Sequence, residues 1–261
     1  MVAVALEVVD LDKSYGDVHA VTGLSFAVAP GEILGLVGPN GAGKTTTLRC
    51  LGGILPPTRG TIRVGGHDVV AEPVAAKGQL AFLPDEPRLF DYLTVWEHLN
   101  FVARLYGVAD WQGRGSKLLD ELELAPKRDA LPGELSRGMK QKLTIACGFL
   151  HEPSVIVLDE PLTGLDPLAI RKMKQSLAQR AEAGAAIVLS SHLLPLVEEL
   201  CSRVLVIARG KMRALGTIAD IRAKVAAPGI PGGPGGPDGM SLEDLFVKIT
   251  EDAAEPAGPA A

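Results

Sequence analysis

Short apolar runs bounded by turn residues recur along the chain, at residues 33–37, 80–83, 155–158, 186–189 and 204–207. Runs of this length with no polar alternation suit strands buried on both faces, as in a parallel sheet. Between them lie stretches with helical periodicity, at 43–51, 167–183 and 193–201. Strands alternating with helices predict an α/β domain. The N-terminal part reads differently. Residues 4–12, 23–28 and 61–64 look like antiparallel strands joined by turns.

From 94 to 150 the pattern is helical throughout. Val95, Leu99, Val102 and Tyr106 fall on one helical face, and Met139, Leu143, Ala146 and Leu150 on another. This predicts a helical subdomain, about residues 87–152, inserted into the α/β body. Residues 1–225 then form one domain. Residues 226–239 read as a linker, since 228–239 are Gly or Pro at 10 of 12 positions. Residues 240–261 read as a short helix and a frayed tail. Ser241 is placed to cap that helix, with Glu243 and Asp244 in its first turn.

Composition narrows the class. The 261 residues include 30 Gly and 19 Pro, together 49. Average usage predicts roughly 31, and much of the surplus falls in the linker and tail. Hydrophobic residues make up 47 % and charged residues 22 %, enough to bury a core. The net charge is 26 − 31 = −5, which argues against a nucleic-acid partner. Mean hydropathy is +0.22, yet the longest stretch without a charged residue, 183–197, has only 15 residues. A membrane span needs about 20. The N-terminus shows no leader pattern. Cys50, Cys147 and Cys201 are widely spaced and odd in number, which reads as small buried hydrophobes in a reducing compartment.

The strongest chemical signal is Gly38-Pro39-Asn40-Gly41-Ala42-Gly43-Lys44-Thr45, followed by Thr46. It fits G-x-x-x-x-G-K-[ST] and stands between a predicted strand and a predicted helix, as a phosphate-binding loop requires. Glycines let backbone N–H groups turn inward around a phosphate, and the helix N-terminus adds partial positive charge. Lys44 is placed to bridge phosphates and the Thr45 hydroxyl to ligate Mg²⁺. Asp159 ends the apolar run 155–158, where a carboxylate would hold Mg²⁺, and Glu160 follows, placed to polarise an attacking water. Leu135-Ser136-Arg137-Gly138-Met139 opens a helix with a Ser cap and a Gly, a second anion site. It lies 23 residues before Asp159, and His192 follows Asp159 by 33.

That order of motifs resembles the nucleotide-binding subunit of ATP-binding cassette transporters, over residues 3 to about 225. The resemblance implies that Tyr15 stacks on adenine and that Gly38–Thr46 form the phosphate loop. It implies that Ser136, Arg137 and Gly138 form the signature, that Asp166 lies in a loop crossing a dimer interface, and that His192 is the switch histidine. Two positions depart from the family. Asp85 stands where Gln is usual, and an ionised Asp accepts and ligates but donates no N–H. Arg137 replaces the commoner Gly, with its side chain either near phosphate or turned away. Gly38, Gly41, Gly43 and Gly138 are the glycines expected where backbone must approach phosphate.

The fold implied is a P-loop NTPase core with a mostly parallel sheet, an N-terminal antiparallel β subdomain and the inserted helical subdomain. The activity implied is ATP hydrolysis with ATP and Mg²⁺, with Lys44, Glu160 and His192 catalytic and with Thr45, Asp159 and Asp85 toward the metal. The expected partners are a second copy of the chain, paired head to tail, and separate membrane permease subunits, which would hold the protein at the cytoplasmic face of a membrane. Residues 240–246 resemble the ending of exporter ATPases and favour export. An importer ATPase, or a non-transport cassette ATPase, is the alternative.

Overall fold

The computed structural model describes residues 4–225 and 241–251, so the linker 226–239 and the tail beyond 251 lie outside the described residues. Strands β1 (Leu6–Tyr15), β2 (Val18–Val28), β4 (Arg59–Val64) and β5 (His67–Asp68) form an antiparallel sheet in the order β2-β1-β4-β5. A second sheet combines β3 (Ile33–Val37), β6 (Leu80–Leu83), β7 (Val155–Asp159), β8 (Ala186–Ser190), β9 (Arg203–Ala208) and β10 (Lys211–Gly216). Its order is β10-β9-β3-β8-β7-β6, and every pairing is parallel except β9 with β10.

The apolar runs are continuous because both faces of this sheet are covered. Alternate residues along each strand enter different cores. Leu34, Val157, Val188 and Leu205 join one cluster with α1 (Lys44–Leu51) and the antiparallel sheet. Ile33, Leu158, Leu189 and Val206 join the other. That second cluster includes α3 (Val95–Tyr106), α4 (Trp111–Glu121), α5 (Arg137–Phe149), α6 (Pro167–Glu182) and α7 (Leu194–Leu200). Val95, Leu99, Leu143, Ala146 and Leu150 are buried in it, with Val102 and Met139 packed at its margin. Tyr106 instead is only partly covered, 37 % exposed and stacked on His151.

Several elements extend or add to the sequence pattern. The hairpin β1–β2 runs to Tyr15↔Val18, closing through Gly16-Asp17 with Gly16 at φ +57°. Its outer residues, Tyr15 to Val18, are all exposed, so no buried face marks them. Short α2 (Pro73–Gly78), edge strand β10 and α8 (Ile218–Val225) likewise lie outside the apolar pattern. Helix α9 (Leu242–Glu251) begins where expected: the Asp244 N–H donates to Ser241 Oγ at 3.2 Å. It packs on α7, α8 and β10, with Leu245 buried. Cys50 and Cys201 are buried, and burial pushes their thiols up to about 11 and about 12.

His151, just beyond α5, stacks on Tyr106 with centroids 3.9 Å apart, and its Nε2 lies 3.3 Å from the Leu80 carbonyl oxygen. Its buried Nδ1 has no partner. Burial lowers its pKa despite the Leu80 bond. An unfolded chain protonates this side chain below about pH 6.5, where folded His151 resists the proton, so stability falls as pH drops through that region. His151→Phe keeps the stacking surface and removes the titrating group. Its thermal midpoint should therefore fall less than the native one between about pH 7.5 and about pH 5.5; equal losses would exclude a contribution from His151.

Candidate functional site

The phosphate loop joins the C-terminal end of β3 to the N-terminus of α1. Three of its glycines are required for different reasons. A Cβ on Gly38 would lie 2.4 Å from the Ile207 carbonyl oxygen, and one on Gly43 would lie 2.4 Å from that of Ala20. Gly43 also has φ +102°, and Gly41 has φ +74° with open space around it. Gly38 and Gly43 are thus fixed by close approach of backbones, and Gly41 by its left-handed conformation.

Asn40, Gly41, Ala42, Gly43, Lys44, Thr45, Thr46, Asp159 and Glu160 line one cleft of about 300 Å³, with Ala20 on its rim. The Lys44 ammonium donates to the carbonyls of Gly38 at 2.7 Å and Pro39 at 3.2 Å. Burial lowers the Lys44 pKa, opposed by the charges of Glu160 and Asp159. Thr45 Oγ1 donates to Asp159 Oδ1 at 3.4 Å. Ser190, fully buried at the end of β8, donates its hydroxyl to the same oxygen at 2.8 Å. The Glu160 N–H donates to Ser190 Oγ at 3.0 Å. Glu160 itself has φ +48°, uncommon for a residue with a side chain. The carboxylate so aimed accepts from the His192 backbone N–H at 3.2 Å and lies 2.7 Å from His192 Nδ1. An ionised carboxylate only accepts, so Nδ1 carries the proton in this contact.

The remaining predicted residues lie outside the cleft lining. Tyr15 is exposed at the end of β1, with the Lys13 ammonium 5.2 Å from its ring centroid. Ser136 caps α5, accepting from the Met139 N–H at 3.3 Å. Asp166 caps α6, accepting from the Ala169 N–H at 2.9 Å. A Cβ on Gly138 would meet the Gly164 carbonyl oxygen at 3.1 Å, so packing within the chain already favours glycine there. Arg137 lies along Gly164: a Cβ on that glycine would be 3.4 Å from both its Cδ and its Nε. Asp85 is half-buried, and its Oδ1 has no hydrogen-bond partner. Burial and then Asp159 raise its pKa, Arg137 lowers it, and Glu160 and Glu86 raise it further.

The sequence pattern that defines the ABC transporter family matches residues 21–163. The ABC-type transporter ATP-binding protein EcsA of Bacillus subtilis (strain 168) is 34 % identical over 95 % of this chain and 98 % of its own length. The chain belongs to the ABC transporter ATP-binding proteins. A second relative, the Nod factor export ATP-binding protein I of Paraburkholderia xenovorans (strain LB400), is 42 % identical over 81 % of this chain and 70 % of its own. A solved structure described as the ATP binding subunit of an ABC transporter superposes with a TM-score of 0.86 at 36 % identity. It covers 94 % of this chain and 99 % of that one. The architecture of this ATP-binding subunit, an antiparallel sheet beside a mostly parallel one in a P-loop fold, is therefore that of the family.

Thr45 and Asp159, joined by one hydrogen bond at the cleft, offer the oxygen donors that a hard cation such as Mg²⁺ takes. Among the described residues no group of three or more His, Cys, Asp or Glu could hold a metal by itself.

Two contributors to the site carry no motif of their own. Ala20 abuts Gly43 through its backbone oxygen, a contact independent of side-chain type. Ser190 reaches Asp159 only because β7 and β8 pair Asp159↔Ser190. Replacing Ser190 with Ala would leave Asp159 Oδ1 with only the long Thr45 contact and the Glu160 N–H without its acceptor. Ser190→Ala should cost about 1–3 kcal/mol of unfolding free energy in denaturant titration; an unchanged midpoint would show the hydroxyl to be dispensable.

Proposed function

We propose that this ATP-binding subunit hydrolyses ATP as half of a head-to-tail pair of identical chains and powers export through separate membrane subunits. The observation that carries the pairing is the division of the motifs. The phosphate loop, Asp159 and Glu160 share one cleft, while Arg137 and Gly138 pack on the loop 163–166 and, with Ser136, take no part in lining it. Helix α5 still presents N–H groups and a positive dipole end at Arg137 and Gly138. A second chain brings that helix end to the first chain's cleft, and the first chain reciprocates. Tyr15 then offers its exposed ring to adenine, and Asp166 lies near the junction.

In the chemistry, Lys44 exchanges its loop carbonyls for phosphate oxygens, and its charge offsets the one that develops there. Thr45, Asp159 and Asp85 are the residues that would hold Mg²⁺, which supplies further charge neutralisation when bound. Glu160 orients the attacking water. His192 holds the Glu160 carboxylate through both its N–H groups, and steadies the terminal phosphate once the cleft is filled.

Export is favoured by the ending 240–246 and by the relative whose name is Nod factor export ATP-binding protein I. Among the described residues no helix is long and apolar enough to cross a membrane. The pathway would then belong to the permease subunits, with this chain docked at their cytoplasmic side. Residues 1–225 would act as the ATP-binding domain, with the insert at about 87–152, joined by 226–239 to the C-terminal helix.

Glu160→Gln keeps the shape of the side chain and removes its charge. The variant should bind ATP, turn it over at least about 100-fold more slowly, and accumulate as a closed dimer by size-exclusion chromatography with ATP. Near-native turnover would remove Glu160 from the mechanism.

A further inference from the structure

Helix α4 closes on Leu122, and Glu123 follows it with φ +58°. The Glu123 N–H donates to the Asp120 carbonyl at 3.1 Å, and the Leu124 N–H to that of Leu119 at 2.7 Å. This pair of bonds ends a helix on a left-handed residue, which is usually glycine. Leu122 and Leu124 on either side are buried, so the backbone at Glu123 is fixed. A glutamate there bears strain that glycine would not. Its carboxylate reaches two other helices. Oε2 accepts from the Lys142 ammonium at 3.2 Å, and Oε1 from that of Lys172 at 2.6 Å. Lys142 lies on α5, six residues after its cap Ser136, and Lys172 lies on α6, six residues after its cap Asp166. The Lys142 side chain is only 14 % exposed. Helix α5 also rests on the segment before α6, where a Cβ on Gly138 would lie 3.1 Å from the Gly164 carbonyl oxygen.

We propose that Glu123 is a positioning residue for the pair of chains: by bridging Lys142 and Lys172 it sets the spacing between the N-terminal ends of α5 and α6. Those two ends, bearing Ser136–Gly138 and Asp166, are what the head-to-tail arrangement presents to the partner chain, and the proposal rests on that arrangement. One carboxylate joined to two ammonium groups replaces a like-charge contact between the helices with two attractive ones. With the packing at Gly164 it gives α5 two attachments to α6 and the loop before it, one beside the caps and one roughly 9 Å from them. A glycine would suit the turn after α4 better, yet it would remove the second attachment.

The test uses the full chain carrying Glu160→Gln, in which ATP should trap the closed dimer. Adding Glu123→Gln should raise the protein concentration for half-maximal dimer by about three- to tenfold, since each dimer holds the bridge twice. Affinity for ADP, which reports the cleft of a single chain, should stay within about twofold. Glu123→Gly should weaken the dimer equally while its thermal midpoint stays at or above that of the parent, because the turn after α4 favours glycine. That split separates positioning from a loss of stability. Lys172→Gln should weaken the dimer in the same sense, and combining it with Glu123→Gln should add little. Fully additive effects would overturn the proposal, as would a dimer weakened only in step with a falling thermal midpoint. A Glu160→Gln chain that forms no dimer with ATP would overturn the head-to-tail reading and the proposal with it. A chain that dimerises equally well with and without Glu123 would overturn the proposal alone.

Discussion

The phosphate loop is held where the backbones of two sheets meet with no room for a Cβ. Gly43 faces the Ala20 carbonyl of β2, in the antiparallel sheet, and Gly38 faces the Ile207 carbonyl of β9, in the parallel sheet. The turn between β9 and β10 completes the grip. The Gly210 N–H donates to the Ala42 carbonyl at 3.0 Å, and the Thr22 N–H donates to the Gly210 carbonyl at 2.8 Å. The loop is thus tied to both sheets through main-chain atoms. Its backbone direction, and with it the start of α1, depends on the sheets being in register. Side chains at Gly38 or Gly43 would force apart the layers whose contact defines the site.

From that seam outward, the site is a problem of managing like charges. Asp159 and Glu160 are adjacent acids at the end of a buried strand, and the structure satisfies them with short, specific donors. Ser190 serves as donor to Asp159 and acceptor from the Glu160 backbone, so one buried hydroxyl fixes the relative orientation of both residues. The left-handed backbone at Glu160 is the local cost of turning its carboxylate toward His192. Lys44 is the counter-charge, partly desolvated and hydrogen-bonded to its own loop.

The sequence discloses most where local chemistry demands a fixed spacing. The phosphate loop must place glycines, a lysine and a hydroxyl within nine residues, so 38–46 is readable without a fold. Strands β3, β7 and β8 are equally plain, because burial on both faces leaves no polar residue to break the run. Strand β10 carries Lys211 and Arg213 on a half-exposed edge, and the hairpin end from Tyr15 to Val18 is exposed, its apolar Tyr15 and Val18 included. Neither has the one-sided pattern that marks a strand. Ser190 and Ala20 are invisible for a different reason: their roles arise from register and backbone approach, which residue identity does not encode. Gly138 carries two demands at once: its glycine suits an approach to phosphate, and a Cβ there would also lie 3.1 Å from the Gly164 carbonyl oxygen within the same chain.

That last contact bears on how the signature can work. Helix α5 rests on the loop 163–166 at Gly138 and Arg137, while Asp166, at the end of that loop, caps α6. The signature and the cap of α6 are consequently parts of one packed unit. Anything that draws the exposed N-terminus of α5 toward an anion also pulls on the start of α6. The opposite end of α6 is tied to the helical part by Arg180, which pairs with Glu121 at 3.2 Å and lies over the Phe149 ring at 3.9 Å. Helix α6 is thus fixed at its start by the Asp166 cap beside the loop that α5 packs on, and at its end by Arg180 against α4 and α5. Contiguous packing of this kind is the physical precondition for contacts at one end of α6 to be felt at the other.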